Sequence, residues 1–453
     1  MFGVILIIIL PFFTSAFLLN TSCPSSGFYL GQGVHTFWNE LERAFMETAP
    51  SASNPDRLHG DSIRIWAKDL KIETRPDILD IKWQDLKAIR QKHKEIINKI
   101  SKLVHSLSYN SNTRGIVTTC GSKDLGFLAI SLRMLRFTGS TLPVEVFLVS
   151  VDDYNVTFCE DLYPQLNARC ILMADVLNGN KYDRKIEIKT YQFKIIAMLF
   201  SSFEEILFLD ADNIPVSNPD VLFTSEPFKE TGMITWPDFW AETVSPLYFM
   251  ILEEEIPNHL TRVSCEAGQL LISKKTHEKS LLLAAYYNYY GPTHYYRIFS
   301  QNGPGEGDKE TFVIAANFYK LPFYTVHTPV DDLGHNNTDE YRNEFRGIAM
   351  AQANAIDDWD KYVKNKTKRP LVRIMFIHAN YPKVDPDRLL RQGGPILRYN
   401  GTVGRMWENV EELESLIGYD PEKQIWKEFI YITCKYYLEL CDSIQENYNK
   451  LFT

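Results

Sequence analysis

Nothing in this chain constrains its fold more than the stretch Ile206-Leu207-Phe208-Leu209-Asp210-Ala211-Asp212-Asn213-Ile214-Pro215. Large apolar residues, enough for a buried strand, stop abruptly at two carboxylates one residue apart, and the residues that follow cannot continue the strand. Two like charges side by side raise each other's pKa or demand a counter-charge, and a hard divalent cation is the usual solution at a strand end. The D-x-D pattern recurs at Asp358-Trp359-Asp360 and Asp385-Pro386-Asp387, but neither follows an apolar run. Both are expected to be solvated loop acids, which leaves Asp210 and Asp212 as the pair placed to hold a metal.

The surrounding pattern predicts an α/β fold. Gly115 to Cys120 and Pro143 to Val149 read as buried strands, Leu125 to Phe137 as a helix ended by Gly139, and Tyr191 to Phe200 as the helix leading into the acidic strand. Strands alternating with helices mean a parallel sheet with crossover helices, whose ligands bind at the carboxyl ends of the strands. Trp83 to Leu107 carries apolar residues mostly at helical spacing and predicts an amphipathic helix against the main domain, while Arg405 to Phe452 predicts a helical cap on the sheet. The chain thus divides into a hydrophobic segment over 1–19, a stem and N-terminal helical region over 20–112, and a catalytic domain with its cap over 113–453.

Composition narrows the function. With 453 residues, 45% of them apolar, the chain can bury a sizeable core, and its net charge of −9 offers no basic stripe for nucleic acid. Phe2 to Leu19 is almost wholly apolar and predicts a membrane anchor, with a cleaved signal as the alternative. Five N-x-S/T sequons, at Asn20, Asn155, Asn336, Asn365 and Asn400, and seven cysteines fit passage through the secretory pathway. Cys159 and Cys170 are the first candidate disulfide. Cys434 and Cys441 are a poorer one, because a continuous helix would hold them about 10 Å apart along its axis.

The acids suggest their chemistry. A strand-terminal D-x-D suits a divalent ion bridging the two phosphates of a nucleotide sugar, where it neutralises charge as the sugar leaves. Arg373 to His378 is another apolar strand ending in a possible ligand, and His378 with two carboxylates makes a mixed N/O site suited to Mn²⁺. The plainer alternative is a buried histidine bonded to a backbone carbonyl. Gly303, Gly305 and Gly307 let backbone approach a ligand, and Glu306, Asp308 and Glu310 offer acids for sugar hydroxyls or a developing oxocarbenium. Equally, Asp308 fits a helix cap that accepts from the Thr311 N–H. Trp236, Trp240 and Phe239 around Asp238 form a candidate acceptor platform, against the commoner role of aromatics as core. Lys194 is a candidate contact for the donor diphosphate, against the commoner solvated lysine.

In order along the chain, Thr138-Gly139-Ser140-Thr141-Leu142-Pro143-Val144-Glu145-Val146-Phe147, Phe208-Leu209-Asp210-Ala211-Asp212-Asn213, Trp236-Pro237-Asp238-Phe239-Trp240, Gly305-Glu306-Gly307-Asp308-Lys309-Glu310-Thr311-Phe312 and Phe376-Ile377-His378-Ala379-Asn380 resemble one family. It is the fungal Golgi α-mannosyltransferases that extend and branch cell-wall mannan, and the resemblance spans about Arg114 to Pro386. The resemblance implies a GT-A-like glycosyltransferase fold, a Rossmann-like mixed sheet flanked by helices, that transfers mannose from GDP-mannose with Mn²⁺ and retention. It implies Asp210, Asp212 and His378 as metal ligands and Asp308 beside the anomeric carbon. Front-face transfer is then expected, with the leaving phosphate accepting the acceptor's proton. An α-1,2 linkage is expected, with α-1,3 as the alternative within the family. The resemblance further implies a single-pass type II protein of the Golgi membrane, with a lumenal catalytic domain, a glycan acceptor and a place in a mannosyltransferase complex. Two other readings stay open, a GT-A enzyme for another nucleotide sugar and a non-catalytic glycan-binding or complex-stabilising subunit.

Overall fold

The computed structural model describes residues 32–58, 62–70, 74–177, 188–260, 262–338, 343–364, 371–380 and 394–452. The hydrophobic segment 1–19, the sequons at Asn20 and Asn365, Cys23, and the acids Asp385 and Asp387 lie outside them. Among the described residues no helix is long and apolar enough to cross a membrane.

The chain runs through α1 (Gln32–Glu47), α2 (Trp83–Leu103), β1 (Asn110–Cys120), α3 (Leu125–Phe137), β2 (Val144–Leu148), β3 (Ala168–Leu172), α4 (Gln192–Phe200) and β4 (Phe203–Leu209). It continues with β5 (Asn213–Pro215), β6 (Met233–Ala241), β7 (Val263–Ser273), α5 (Lys274–Tyr289), α6 (Thr311–Phe318), β8 (Tyr324–Thr325), β9 (Asp331–Thr338) and β10 (Asn343–Ala353). Helix α7 (Ala355–Tyr362), β11 (Ile374–His378), α8 (Pro421–Tyr436) and α9 (Cys441–Phe452) complete the principal elements.

The acidic strand is central because its residues are apolar on both sides. Alternate side chains of a strand face opposite ways, so Ile206 and Phe208 enter one core with α2, α4 and α5, while Leu207 and Leu209 enter another with α3 and α8. Between these cores lies a seven-stranded sheet in the order β8-β6-β7-β4-β1-β2-β3. Strands β1 to β4 pair in parallel and β7 runs antiparallel to β4 and β6, which makes the sheet mixed, as expected. The N-terminal helices are part of this packing. The hydroxyls of Tyr286 on α5 and of Tyr290 just past its end donate to the carbonyls of Thr48 and Phe45, each at 2.7 Å, and His93 on α2 bonds Tyr287 at 2.8 Å.

The acidic strand ends at Leu209, as expected, and the residues after Asp212 enter a second, antiparallel sheet, β9-β10-β11-β5. The chain leaves the large sheet at Leu209 and resumes at Asn213 as an edge strand of the small one. Pro215 is tolerated there because an edge strand leaves one row of N–H groups unpaired. Asp210-Ala211-Asp212 is therefore the turn between two sheets.

Trp236 joins the same sheets, and this overturns its expected place in a sugar platform. Its side chain is wholly buried, its indole N–H donates to the Ala353 carbonyl at 2.8 Å, and its ring meets Phe376 edge-on at 5.5 Å. Neither indole face is open. Asp358 is likewise no solvated loop acid: it is fully buried at the start of α7 and accepts from the Tyr324 hydroxyl at 2.5 Å and the His327 and Thr328 N–H groups at 2.8 Å. Cys159 and Cys170 form the expected disulfide, and Cys434 and Cys441 form a second one. The helix-spacing objection fails because α8 ends at Tyr436, and a turn over Leu438–Leu440 brings the second pair's Cα atoms to 4.5 Å. Cys120 and Cys265 are buried and take part in neither disulfide.

Trp236→Ala is expected to destabilise the chain by about 3–5 kcal/mol, the usual range for emptying a large aromatic site. Trp236→Phe keeps most of the packing but leaves the Ala353 carbonyl unpaired, a loss of about 1–3 kcal/mol. Urea unfolding midpoints in the order wild type, Trp236→Phe, Trp236→Ala check both.

Candidate active site

The turn between the sheets is held at both ends by backbone. The Asp210 N–H donates to the Gly268 carbonyl of β7, and the Asp212 carbonyl accepts from the Ala379 N–H just past β11, each at 2.9 Å. The Asn213 side-chain amide adds a bond to the Gly268 carbonyl at 2.8 Å. Pairing of β5 with β11 sets His378 opposite Asn213, and this register delivers the imidazole to the acids. Nε2 lies 3.1 Å from Asp212 Oδ1, and Nδ1 lies 3.1 Å from Glu266 Oε1. The backbone-carbonyl alternative for His378 does not hold. Ligand atoms of Asp210, Asp212 and His378 all fall within 4.8 Å of one another.

Glu266 is the residue that sequence reasoning missed. Its carboxylate also accepts from the Gly268 N–H at 2.7 Å, so it is anchored in the strand that faces the turn. Gly268 is obligatory here, because a Cβ would sit 2.4 Å from His378 Nδ1. The available signal was an acid followed by Ala-Gly shortly before the apolar Leu270-Leu271-Ile272.

Lys194, on α4, is no solvated lysine. It is buried, with its ammonium 3.4 Å from Asp210 Oδ1 and 3.2 Å from Asp308 Oδ2, and it donates to the Ala267 carbonyl at 2.6 Å. Asp308 caps α6 through its backbone carbonyl, which accepts from the Thr311 N–H at 2.9 Å; its carboxylate faces Lys194 instead. Burial raises the Asp308 carboxyl, with Lys194 in opposition, and burial pushes Asp210 up to about 6 against the pull of Lys194 and His378. Burial alone would discharge Lys194 and His378. Asp210, Asp308 and Glu266 outweigh it at the lysine, and Glu266 and Asp212 outweigh it at the imidazole, so both pKa values rise. Burial also works against the Glu266 charge, but the His378 ring holds that carboxyl below its usual range.

These groups floor a cleft of about 960 Å³. Asp238, Phe239 and Trp240 line one side of it with Lys309, whose ammonium lies 2.6 Å from Asp238 Oδ2. Burial raises the Asp238 carboxyl, and Lys309 offsets part of that. Two expected acids are elsewhere. Glu306 is not among the cleft-lining residues: its carboxylate accepts from the Asn302 N–H at 2.5 Å and faces Arg57 at 3.9 Å. Glu310 is buried and bonded to Arg262, to the Ser264 hydroxyl at 2.6 Å and to the Cys265 N–H at 3.2 Å, so it locks the glycine-rich loop onto β7.

A family model described as mannosyltransferase matches residues 113–263 and 252–354. Alpha-1,2-mannosyltransferase MNN21 of Candida albicans is 32% identical over 92% of this chain and 75% of its own length. Alpha-1,2-mannosyltransferase MNN2 of Saccharomyces cerevisiae is 32% identical over 82% of this chain and 72% of its own length. The chain belongs to the fungal α-1,2-mannosyltransferase family. A solved structure of the galactosyltransferase LgtC with donor and acceptor sugar analogs is similar at 15% identity over 40% of this chain and 66% of that one, but its TM-score of 0.26 is too low to bear on the site.

In this mannosyltransferase-family chain, four carboxylates (Asp210, Asp212, Glu266 and Asp308) face two cationic side chains, Lys194 and His378. The site is left net negative, and its two oxygen donors and one imidazole nitrogen fit a borderline divalent ion. Glu266 completes the fit: by accepting a hydrogen bond from Nδ1–H it leaves Nε2 to serve as the ligand atom. Metal binding must therefore displace a proton from His378 and needs Asp210 ionised. With Asp210 at about 6, protonation removes that ligand below this pH, so Mn²⁺ affinity read by electron paramagnetic resonance is expected to weaken about 10-fold or more from pH 7.5 to 5.5. Glu266→Gln is expected to weaken Mn²⁺ binding about 10- to 100-fold at pH 7.5 and, because it uncharges one arm of the buried His378 clasp, to lower the thermal midpoint of the metal-free chain as well.

Proposed function

We propose that this chain transfers mannose from GDP-mannose to the 2-hydroxyl of a mannose-containing glycan, with Mn²⁺ and with retention at the anomeric carbon. The observation that carries this reading is the joining of Asp210, Asp212 and His378 at the floor of a nucleotide-sugar-sized cleft in a chain of this family. A divalent ion held by those three would neutralise charge on the donor diphosphate.

The protein's own groups supply the rest. Lys194 presents a buried positive charge at the cleft floor, suited to a diphosphate oxygen or a donor-sugar hydroxyl, and Asp308 behind it keeps that charge in place. Asp238 and Trp240 offer a carboxylate and an aromatic face to the acceptor, on the wall opposite the β1 exit. Asp308 and Asp238 are each held by a lysine, which lowers the electron density either could offer as a nucleophile. This supports front-face transfer. The acceptor oxygen attacks C1 as the C1–O(phosphate) bond breaks, the acceptor's proton passes to the departing phosphate oxygen, and GDP leaves.

Two disulfides and the sequons support a lumenal site of action, and we assign the chain to the Golgi membrane as a single-pass type II protein. The donor assignment is tested by comparing GDP-mannose with UDP-glucose and UDP-galactose in Mn²⁺-dependent turnover. A clear preference for GDP-mannose is expected, and equal use of all three overturns it. Asp210→Ala and Asp212→Ala are each expected to abolish transfer while circular dichroism shows the fold intact; wild-type activity at limiting Mn²⁺ in either variant overturns the metal assignment.

A further inference from the structure

Over Asp238-Phe239-Trp240 the pairing of β6 with β7 is interrupted, resuming only at Ala241. The displaced residues are the ones that line the cleft. A segment far upstream pairs with them instead. The Ala241 N–H donates to the Ile65 carbonyl at 2.8 Å, and Trp66 forms an antiparallel bridge to Trp240. The Trp66 and Trp240 rings stack with centroids 4.3 Å apart at 23°, and Phe239 meets Trp66 edge-on at 6.3 Å. Yet Trp66 remains 45% exposed, and Lys68 sits 5.4 Å from its ring centroid.

Core packing does not account for an indole left half in water beside a cleft. An indole stack with Lys68 over the Trp66 ring and a carboxylate, Asp238, in the adjoining cleft wall is a combination that recognises a pyranose. The ring's C–H face lies on the aromatic surface, and its hydroxyls reach the charged groups. The position favours acceptor over nucleobase. Strand β6 lies on one side of β4 in the sheet, whereas β1, whose exit Cys120-Gly121 opens into the cleft, lies on the other. Nucleotides in doubly wound sheets bind over the strand exits that lead into crossover helices, which here is the β1 side.

We propose that Trp66 and Trp240 form an acceptor subsite that stacks a sugar ring one or more units away from the mannose being modified. The subsite rests on the reading of the cleft as a glycosyltransferase site. It makes the segment 62–70 part of the substrate surface, although that segment falls within the region expected from sequence to be stem.

The full-length chain carrying Trp66→Ala, with Trp66→Phe as the conservative partner, tests the subsite by three readouts. The KM for an α-mannotriose acceptor is expected to rise about 5- to 10-fold in Trp66→Ala while that for methyl α-mannoside and the kcat change little, and Trp66→Phe is expected to recover most of the loss. Binding of GDP with Mn²⁺, read by calorimetry, is expected to be unchanged; a matching loss of GDP affinity makes the stack a nucleobase site and overturns the proposal. Tryptophan fluorescence of the wild type, without donor, is expected to be quenched saturably by mannotriose, and that quenching lost in Trp66→Ala. The last readout needs no transfer. Saturable quenching without GDP-mannose turnover would defeat the donor reading but keep the subsite, whereas equal mannotriose KM in all variants or no wild-type quenching overturns the subsite. A fall in thermal midpoint with equal loss for both acceptors makes Trp66 a strut and also overturns it.

Discussion

The clasp of one imidazole between two carboxylates organises this molecule. His378 reaches Asp212 and Glu266 at 3.1 Å on either side, and those acids belong to different parts of the structure: the turn leaving the central strand, and the antiparallel strand beside it. For His378 to stand there, β11 must pair with β5 in one register, and β5 must leave the large sheet at that turn. A shift of one residue would turn the histidine to the other face. The buried Trp236 and the Gln352 amide, which donates to the Pro237 carbonyl at 3.0 Å, fasten the same two sheets farther from the site.

The arrangement is a controlled excess of negative charge. Burial penalises the Asp210 and Asp308 carboxylates, and the neighbouring cations offset only part of that penalty there, whereas His378 more than offsets it at Glu266. A protein that concentrates acids in a low-dielectric floor and leaves them under-neutralised is poised for cations, and an unpaired set would otherwise protonate. Glycine sits where the packing is tightest. Gly268 yields its Cβ space to His378, and Gly305, at φ +72°, lies against the Lys309 ammonium that steadies Asp238.

Local pattern carried much of the architecture. The helix over Leu125–Phe137, the strand ending before Asp210 and the disulfide from Cys159 to Cys170 were legible because each depends on residues close in the chain. Where contacts across long separations decided, local pattern misled. Trp236 looks like a platform in its pentapeptide, but its environment is set by Ala353 and Phe376. Asp358 looks like a loop acid until Tyr324, His327 and Thr328 are seen around it. Glu306 and Asp308 are two residues apart and equally acidic in sequence, yet the loop turns one toward Arg57 and the other onto Lys194.

From its residues alone the chain was committed to an α/β core, to a strand that ends in two acids, and to a family in which such acids meet a sugar donor. Periodicity and hydrophobicity act over a few residues and suffice for the first two, while the family came from the order of five motifs along the chain. Which acids share a site was decided only when the sheets closed. Glu266 and His378 lie 112 residues apart, and Lys194 and Asp308 come from different helical connections. No local preference encodes such meetings, because strand register and the packing of one sheet against another set them.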